Sequence, residues 1–165
     1  MGKFLSFAFI FIISLAVTLE SCSSTGCIDN QSSIPLAGFY NSENNSIEID
    51  SITIGGVGAP NDTLILDNTR AKQVYLPFRS QYNSTAFYIH YDQVAISSPL
   101  LNDTITFNYN PIPYFVSEEC GAMYQYTIKN VSYTQHLIDS VVVTDSMITN
   151  VDIERIKIYF RTTQE

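Results

Sequence analysis

After residue 33, apolar and polar positions alternate with period two through most of the chain, the pattern of half-buried strands. In segment 85–91 (TAFYIHY), Phe87, Ile89 and Tyr91 share one face, and Tyr88 and His90 share the other. Segment 103–109 (DTITFNY) places Ile105, Phe107 and Tyr109 inward. Segment 155–161 places Ile156, Ile158 and Phe160 inward, with Arg155, Lys157 and Tyr159 outward. Further strands are expected at 34–41, 47–55, 63–66, 72–78, 114–117, 122–130 and 137–145, separated by clusters of Asn, Asp, Gly and Pro. No segment past residue 33 keeps a 3.6-residue apolar period, and only 147–154 has room for one helical turn. The expected fold is all-β: an antiparallel β-sandwich, immunoglobulin-like or prealbumin-like, of about 8–10 short strands. The Cys, Trp, Cys order of true immunoglobulin domains is missing. Ile49–Ile54 (IDSITI) and Ile138–Val143 (IDSVVV) nearly repeat, which reads as the same turn-to-strand solution used twice.

The first residues follow a different rule. Lys3 precedes a 16-residue apolar run, Phe4 to Leu19, with no charge until Glu20. One positive residue, an apolar stretch and then small residues is the layout of a secretory signal peptide. The run is short for a permanent membrane span, which needs about 20 apolar residues. It ends Leu19-Glu20-Ser21-Cys22, which resembles a bacterial lipobox, although Glu20 departs from the strict pattern. In that reading the Cys22 thiol carries a diacylglyceryl thioether and Cys22 becomes the new N-terminus. The division is then 1–21 signal peptide, 22–33 lipidated N-terminus and tether, and 34–165 a single β domain.

Composition sharpens this picture. Removing residues 1–21 from 165 leaves 144, and four of the ten Phe leave with them. The remaining domain is rich in Tyr. Its net charge stays at −8, because Lys3 and Glu20 leave together. With 8 Lys plus Arg against 16 Asp plus Glu, nucleic acid is not an expected partner. The three cysteines, Cys22, Cys27 and Cys120, form an odd set in an exported chain. Lipid on Cys22 leaves Cys27 and Cys120 to pair across 93 positions; without lipid, Cys22–Cys27 with Cys120 free is equally open.

The order of motifs carries a family resemblance. Cys22, Cys27, a PLAGFY first strand, IDSITIGGVG, KQVYLPF, a DTITF strand, YFVSEECG, IDSVVV and a terminal ERIKIYF are similar to a family of small uncharacterised lipoproteins of Bacteroidota. The similarity covers about residues 22–161. It implies an envelope location and a Cys27–Cys120 disulfide, and it supplies no reaction. Ser23 after the lipidated cysteine points to the outer membrane, and the lack of an acidic run in 23–26 points to its periplasmic side.

Candidate chemistry is sparse. The triplet Asp, Ser or Thr, apolar occurs five times, with hydroxyls at Ser51, Thr63, Thr104, Ser140 and Ser146. It resembles the acceptor of the Bacteroidota O-glycosylation system, and it also suits turn chemistry before a strand. Glu118, Glu119 and Asp103 are the one candidate carboxylate cluster, but adjacent strand residues point to opposite faces. His90 with Asp92 and His136 with Asp139 lack any nucleophile motif. The glycines of 55–58 lack the Lys and helix of a phosphate loop. No metal site, cofactor or enzymatic activity is expected. The expected function is a non-enzymatic envelope accessory that binds a protein partner. The alternative is a glycan- or small-ligand-binding module using Tyr88, Tyr124 or Tyr126, and Tyr159.

Overall fold

The computed structural model describes residues 33–118 and 121–161. The signal segment, Cys22, Cys27 and Cys120 lie outside them. Ten strands form: β1 (Leu36–Tyr40), β2 (Ile49–Gly56), β3 (Leu64–Ala71), β4 (Gln73–Tyr75), β5 (Ser84–Tyr91), β6 (Asp103–Ser117), β7 (Gly121–Tyr133), β8 (Ile138–Val143), β9 (Met147–Ile148) and β10 (Glu154–Phe160). Sheet A has the order β4-β1-β10-β8, and sheet B the order β3-β2-β5-β6-β7-β9. The two sheets make a β-sandwich, as the alternation predicts.

The core lies where the period-two pattern puts it. Phe39, Ile156 and Ile158 from sheet A meet Ile52, Ile54, Phe87, Ile89, Ile105 and Phe107 from sheet B, all essentially inaccessible to water. Each such side chain contributes about 1.5–3 kcal/mol when buried. An aromatic cluster closes one end. Phe78 stacks on Tyr109 at 4.3 Å between centroids, and Tyr126 meets both rings edge-on. The Tyr109 hydroxyl lies 2.7 Å from Thr85 Oγ1, accepts from the Arg79 amide and donates to the Arg79 carbonyl. These bonds fasten the 76–80 crossing segment beneath sheet B.

Four features depart from the expectation. First, β1 pairs with β10 in parallel, so the first and last strands are neighbours in an otherwise antiparallel sandwich. Second, 103–117 is one strand rather than two, despite Pro111 and Pro113. β5 pairs with β6 only as far as Asn108, so the prolines fall where one edge of β6 needs no donor. Third, 147–154 makes no helical turn. Ile148 is buried in the core and β9 pairs with Tyr126 and Thr127 of β7. Fourth, Arg155 is buried rather than outward. The 144–149 segment folds over it, with Asp145 Oδ2 at 3.5 Å from Nη1 and Thr149 Oγ1 accepting from Nη2.

One polar group sits inside. β7 ends at Tyr133, and the chain then crosses to β8 in the other sheet. Asp103, the first residue of β6, lies against this crossing with its side chain fully inaccessible. Its Oδ1 accepts from Thr134 Oγ1 (2.6 Å) and the His136 amide (3.0 Å). Its Oδ2 accepts from the Leu137 and Ile138 amides (2.9 Å each) and from the Tyr91 hydroxyl (2.9 Å). Burial alone pushes this carboxyl up. The bonds from Thr134 and the three amides outweigh it and hold the group below the ordinary range. Burial, with the facing Asp103 charge, pushes the Tyr91 phenol upward.

Replacing Asp103 by Asn leaves several of these donors without an anionic acceptor. The expected loss is about 3 kcal/mol or more, read as a shifted urea midpoint. The pH dependence follows from the lowered pKa. The unfolded carboxyl takes its proton first as pH falls, so the contribution of Asp103 is complete above about pH 4 and lost as pH falls through the folded value. The Asn variant should lose that share of the acid sensitivity; an unchanged midpoint and acid profile would reject the assignment.

Candidate functional site

The outer face of sheet A carries a connected set of polar and aromatic side chains. It arises from the parallel pairing, which aligns Gly38 with Lys157 and Tyr40 with Tyr159. Phe39 and Ile158 between them point into the core. Alternation therefore sends Tyr40, Lys157 and Tyr159 outward together. The Tyr40 and Tyr159 rings lie 5.7 Å apart, tilted by 40°. Lys157 Nζ sits 4.4 Å from the centre of the Tyr40 ring, a cation–π contact.

The turn between β1 and β2 completes the array. Asn41 Oδ1 accepts from the amides of Glu43 and Asn45, and Asn44 takes a positive φ of 62°. That shape presents Asn44 Oδ1, which accepts from Lys157 Nζ (2.9 Å) and Tyr159 OH (2.7 Å). Tyr40 OH donates to Glu154 Oε1 at 2.8 Å. Gly38 leaves room for this pair, since a Cβ there would push aside the Glu154 carboxylate and the Tyr40 ring. The bond to Glu154, then burial and the Glu154 charge, push the Tyr40 phenol up to about 12. Val142 and Ser140 of β8 lie beside Lys157 and Tyr159 on the same face, and Val142 is 43% exposed.

This arrangement suits contact with a macromolecule. Partly exposed tyrosines held by hydrogen bonds give large contact area at little entropic cost. It does not offer coplanar open rings. Lys157 covers one face of Tyr40, and the two rings are tilted against each other.

The residues expected from sequence fall elsewhere. Tyr88 lies over Gly55 on the outer face of sheet B, beside His90 at 4.7 Å. Tyr124 is exposed on the β6–β7 hairpin, whereas Tyr126 is buried against Phe78 and Tyr109. The expected tyrosine platform is thus spread over three surfaces. His136 Nδ1 faces the Asn102 carbonyl at 2.7 Å and Asp103 at 3.4 Å, not Asp139, which pairs with Arg161 at 3.8 Å. Asp92 accepts from Thr53 rather than from His90. Asp103 and Glu118 stand at opposite ends of β6. No three metal-binding side chains converge among the described residues.

The five hydroxyls differ in setting. Thr63 and Ser146 are exposed, while Ser51, Thr104 and Ser140 are half-buried within strands. Asp145 Oδ1 accepts the Met147 amide, the turn bond that its triplet suggests. Asp103 of the third triplet is the buried clamp. Of the three cysteines, only neighbours are described. Ser33 and Ile34 line one cavity of about 310 Å³ with Ala122, Met123 and Tyr124, so the described chain nearest Cys27 in sequence meets residues 122–124.

Tyr40, Asn44 and Glu154 escape sequence reading. Their contacts join residues 113 to 115 positions apart through a pairing that no local pattern reveals. The outward parity of Lys157 and Tyr159 was the one available signal. Changing Glu154 to Gln should return the Tyr40 phenol toward the ordinary value near 10, followed by NMR of labelled tyrosine rings during alkaline titration. A Tyr40 titration unchanged by that substitution would mean that Glu154 does not hold the ring.

No curated protein and no solved structure matches the chain. Residues 51–160 match the model described as "Family of unknown function (DUF6452)", which runs from within β2 to the end of β10 and takes in the Asp103 clamp. The chain belongs to that family of unknown function.

Proposed function

We propose that this protein is a lipid-anchored component of a bacterial, Bacteroidota-type cell envelope that works by contact rather than by catalysis. The lipobox at Cys22 supports the anchor, and the motif order supports the origin. Ser23 after Cys22 supports an outer-membrane anchor, and the lack of an acidic run in 23–26 supports its periplasmic face. A Cys27–Cys120 disulfide staples the tether to the domain, in keeping with the shared cavity of their described neighbours.

The observation that carries the reading is the Tyr40–Tyr159–Lys157–Asn44 array. It is fixed before any partner arrives, and tyrosines of this kind dominate binding energy at protein interfaces. The array favours a protein over a glycan, because stacking a sugar needs an open ring face and Lys157 stands on that of Tyr40. The absence of catalysis is supported by how the reactive groups are used. Asp103 is consumed by backbone amides, and the histidines face carbonyls or aromatic rings. If any triplet carries glycan, the exposed Thr63 and Ser146 are the acceptors.

A photo-crosslinking residue at Val142, beside the array, should capture a discrete partner in intact cells, and Tyr159→Ala should reduce capture about tenfold or more. The same residue at Val94, which is 99% exposed, is the control. Capture from Val142 no stronger than from Val94 would count against the array as an interface; capture of glycan alone would revive the alternative. Intact mass of the native protein, alkylated without reduction, should show a diacylglyceryl Cys22 with Cys27 and Cys120 unalkylated.

A further inference from the structure

The β6–β7 hairpin extends past the sandwich. β5 leaves β6 at Asn108, and β9 touches β7 only at Tyr126 and Thr127. Residues 110–117 and 121–125 therefore form a two-stranded ribbon with no further strand beside it among the described residues. In a protein of net charge −8, the two strands of this ribbon carry no charge, and Glu118 and Glu119 follow only between them in the sequence. Neither 104–117 nor 121–128 contains Asp, Glu, Lys, Arg or His. It also exposes apolar bulk, at Ile112 (39%), Tyr114 (47%), Phe115 (65%) and Tyr124 (41%).

Register shows how that bulk is distributed. Phe115 pairs with Ala122 and Pro113 with Tyr124, so Phe115 and Tyr124 share a face. Ile112 and Tyr114 alternate onto the other. A surface that docks a flat partner is apolar on one side. This ribbon exposes apolar bulk on both sides, although Met123, opposite Tyr114, is buried, and such a shape suits a soft interface better than a flat partner.

The position of the chain start indicates the medium. Ser33 lines a cavity that runs along this ribbon, with Ala122, Met123, Tyr124 and Tyr126. Cys22 lies eleven residues before Ser33, a span of at most about 40 Å. The Cys27–Cys120 disulfide proposed above shortens this tether: Cys120 falls between β6 and β7 in the sequence, so five residues, at most about 18 Å, would separate a lipid on Cys22 from the ribbon's end of the domain.

We propose that the β6–β7 ribbon adsorbs to the phospholipid interface, with Phe115, Tyr114, Tyr124 and Ile112 at headgroup depth. The inference rests on the lipid anchor at Cys22. Tyrosine is at home at that depth, where its ring is half buried and its hydroxyl stays wet. The ribbon does not enter the hydrocarbon. Its unpaired strand edges and Glu118 in the turn would both be costly there. The domain then lies down on the membrane at one end, with the tyrosine face of sheet A free along its side.

The chain has no tryptophan, so a single one is a clean reporter. Phe115→Trp and Val94→Trp are made separately in the intact lipidated protein and reconstituted in phosphatidylcholine vesicles with or without brominated acyl chains. Val94 lies in the loop joining β5 to β6, at the Asp103 end, roughly 40 Å along β6 from Phe115. Tryptophan at 115 should be quenched at least about twofold more than tryptophan at 94. Equal quenching, or a blue shift at 115 that grows with protein concentration and ignores bromine, would overturn the proposal, the latter in favour of self-association. Intact mass read on the same samples separates the two readings. Lipid on Cys22 without quenching at 115 removes the ribbon's role alone. Quenching at 115 on chains that carry no lipid removes the anchor alone.

Discussion

The fold turns on one buried carboxylate. Asp103 begins the longest strand of sheet B, and its oxygens take the amides of the segment that leads into β8 of sheet A. A crossing between two sheets must leave its backbone donors without ladder partners, and burying them unpaired is costly. Asp103 resolves this with charge, Thr134 and Tyr91 supply the remaining bonds, and the core keeps water away. The same group fixes where β8 starts. β8 then pairs with β10, and β10 with β1, so the clamp also positions the strand pair from which the tyrosine array projects.

Much of this architecture was legible in the sequence, for a simple reason. Side chains on opposite faces of a strand meet water or core, and the alternation in 85–91 and 103–109 records that choice directly. What escaped was non-local. The parallel contact of β1 with β10 joins residues more than a hundred positions apart. The unbroken β6 was hidden because proline usually ends a strand, and only the loss of β5 as a neighbour makes Pro111 and Pro113 harmless. Arg155 reads as an outward residue by parity, yet a turn folding over that face buries it. Asp103 reads as one of several turn aspartates; nothing local distinguishes the one that faces inward.

Function follows the same division. The side chains that look chemically able, Asp103 and His136 above all, are used to hold the molecule together. The surfaces proposed to act are the hydrogen-bonded tyrosine face of sheet A and the apolar ribbon of β6 and β7. Each takes its character from strand parity, and they meet different surroundings: one is polar and preorganised, the other apolar on both sides. A domain tethered at its ribbon end would offer the first surface sideways to its neighbours in the envelope.

Amide hydrogen exchange at neutral pH tests the clamp most directly. If Asp103 holds the crossing between sheets, the amides of His136, Leu137 and Ile138 should exchange as slowly as those of the central strands β5 and β6, although His136 and Leu137 belong to no strand. Exchange of these three amides as fast as that of the exposed 42–46 turn would contradict the account.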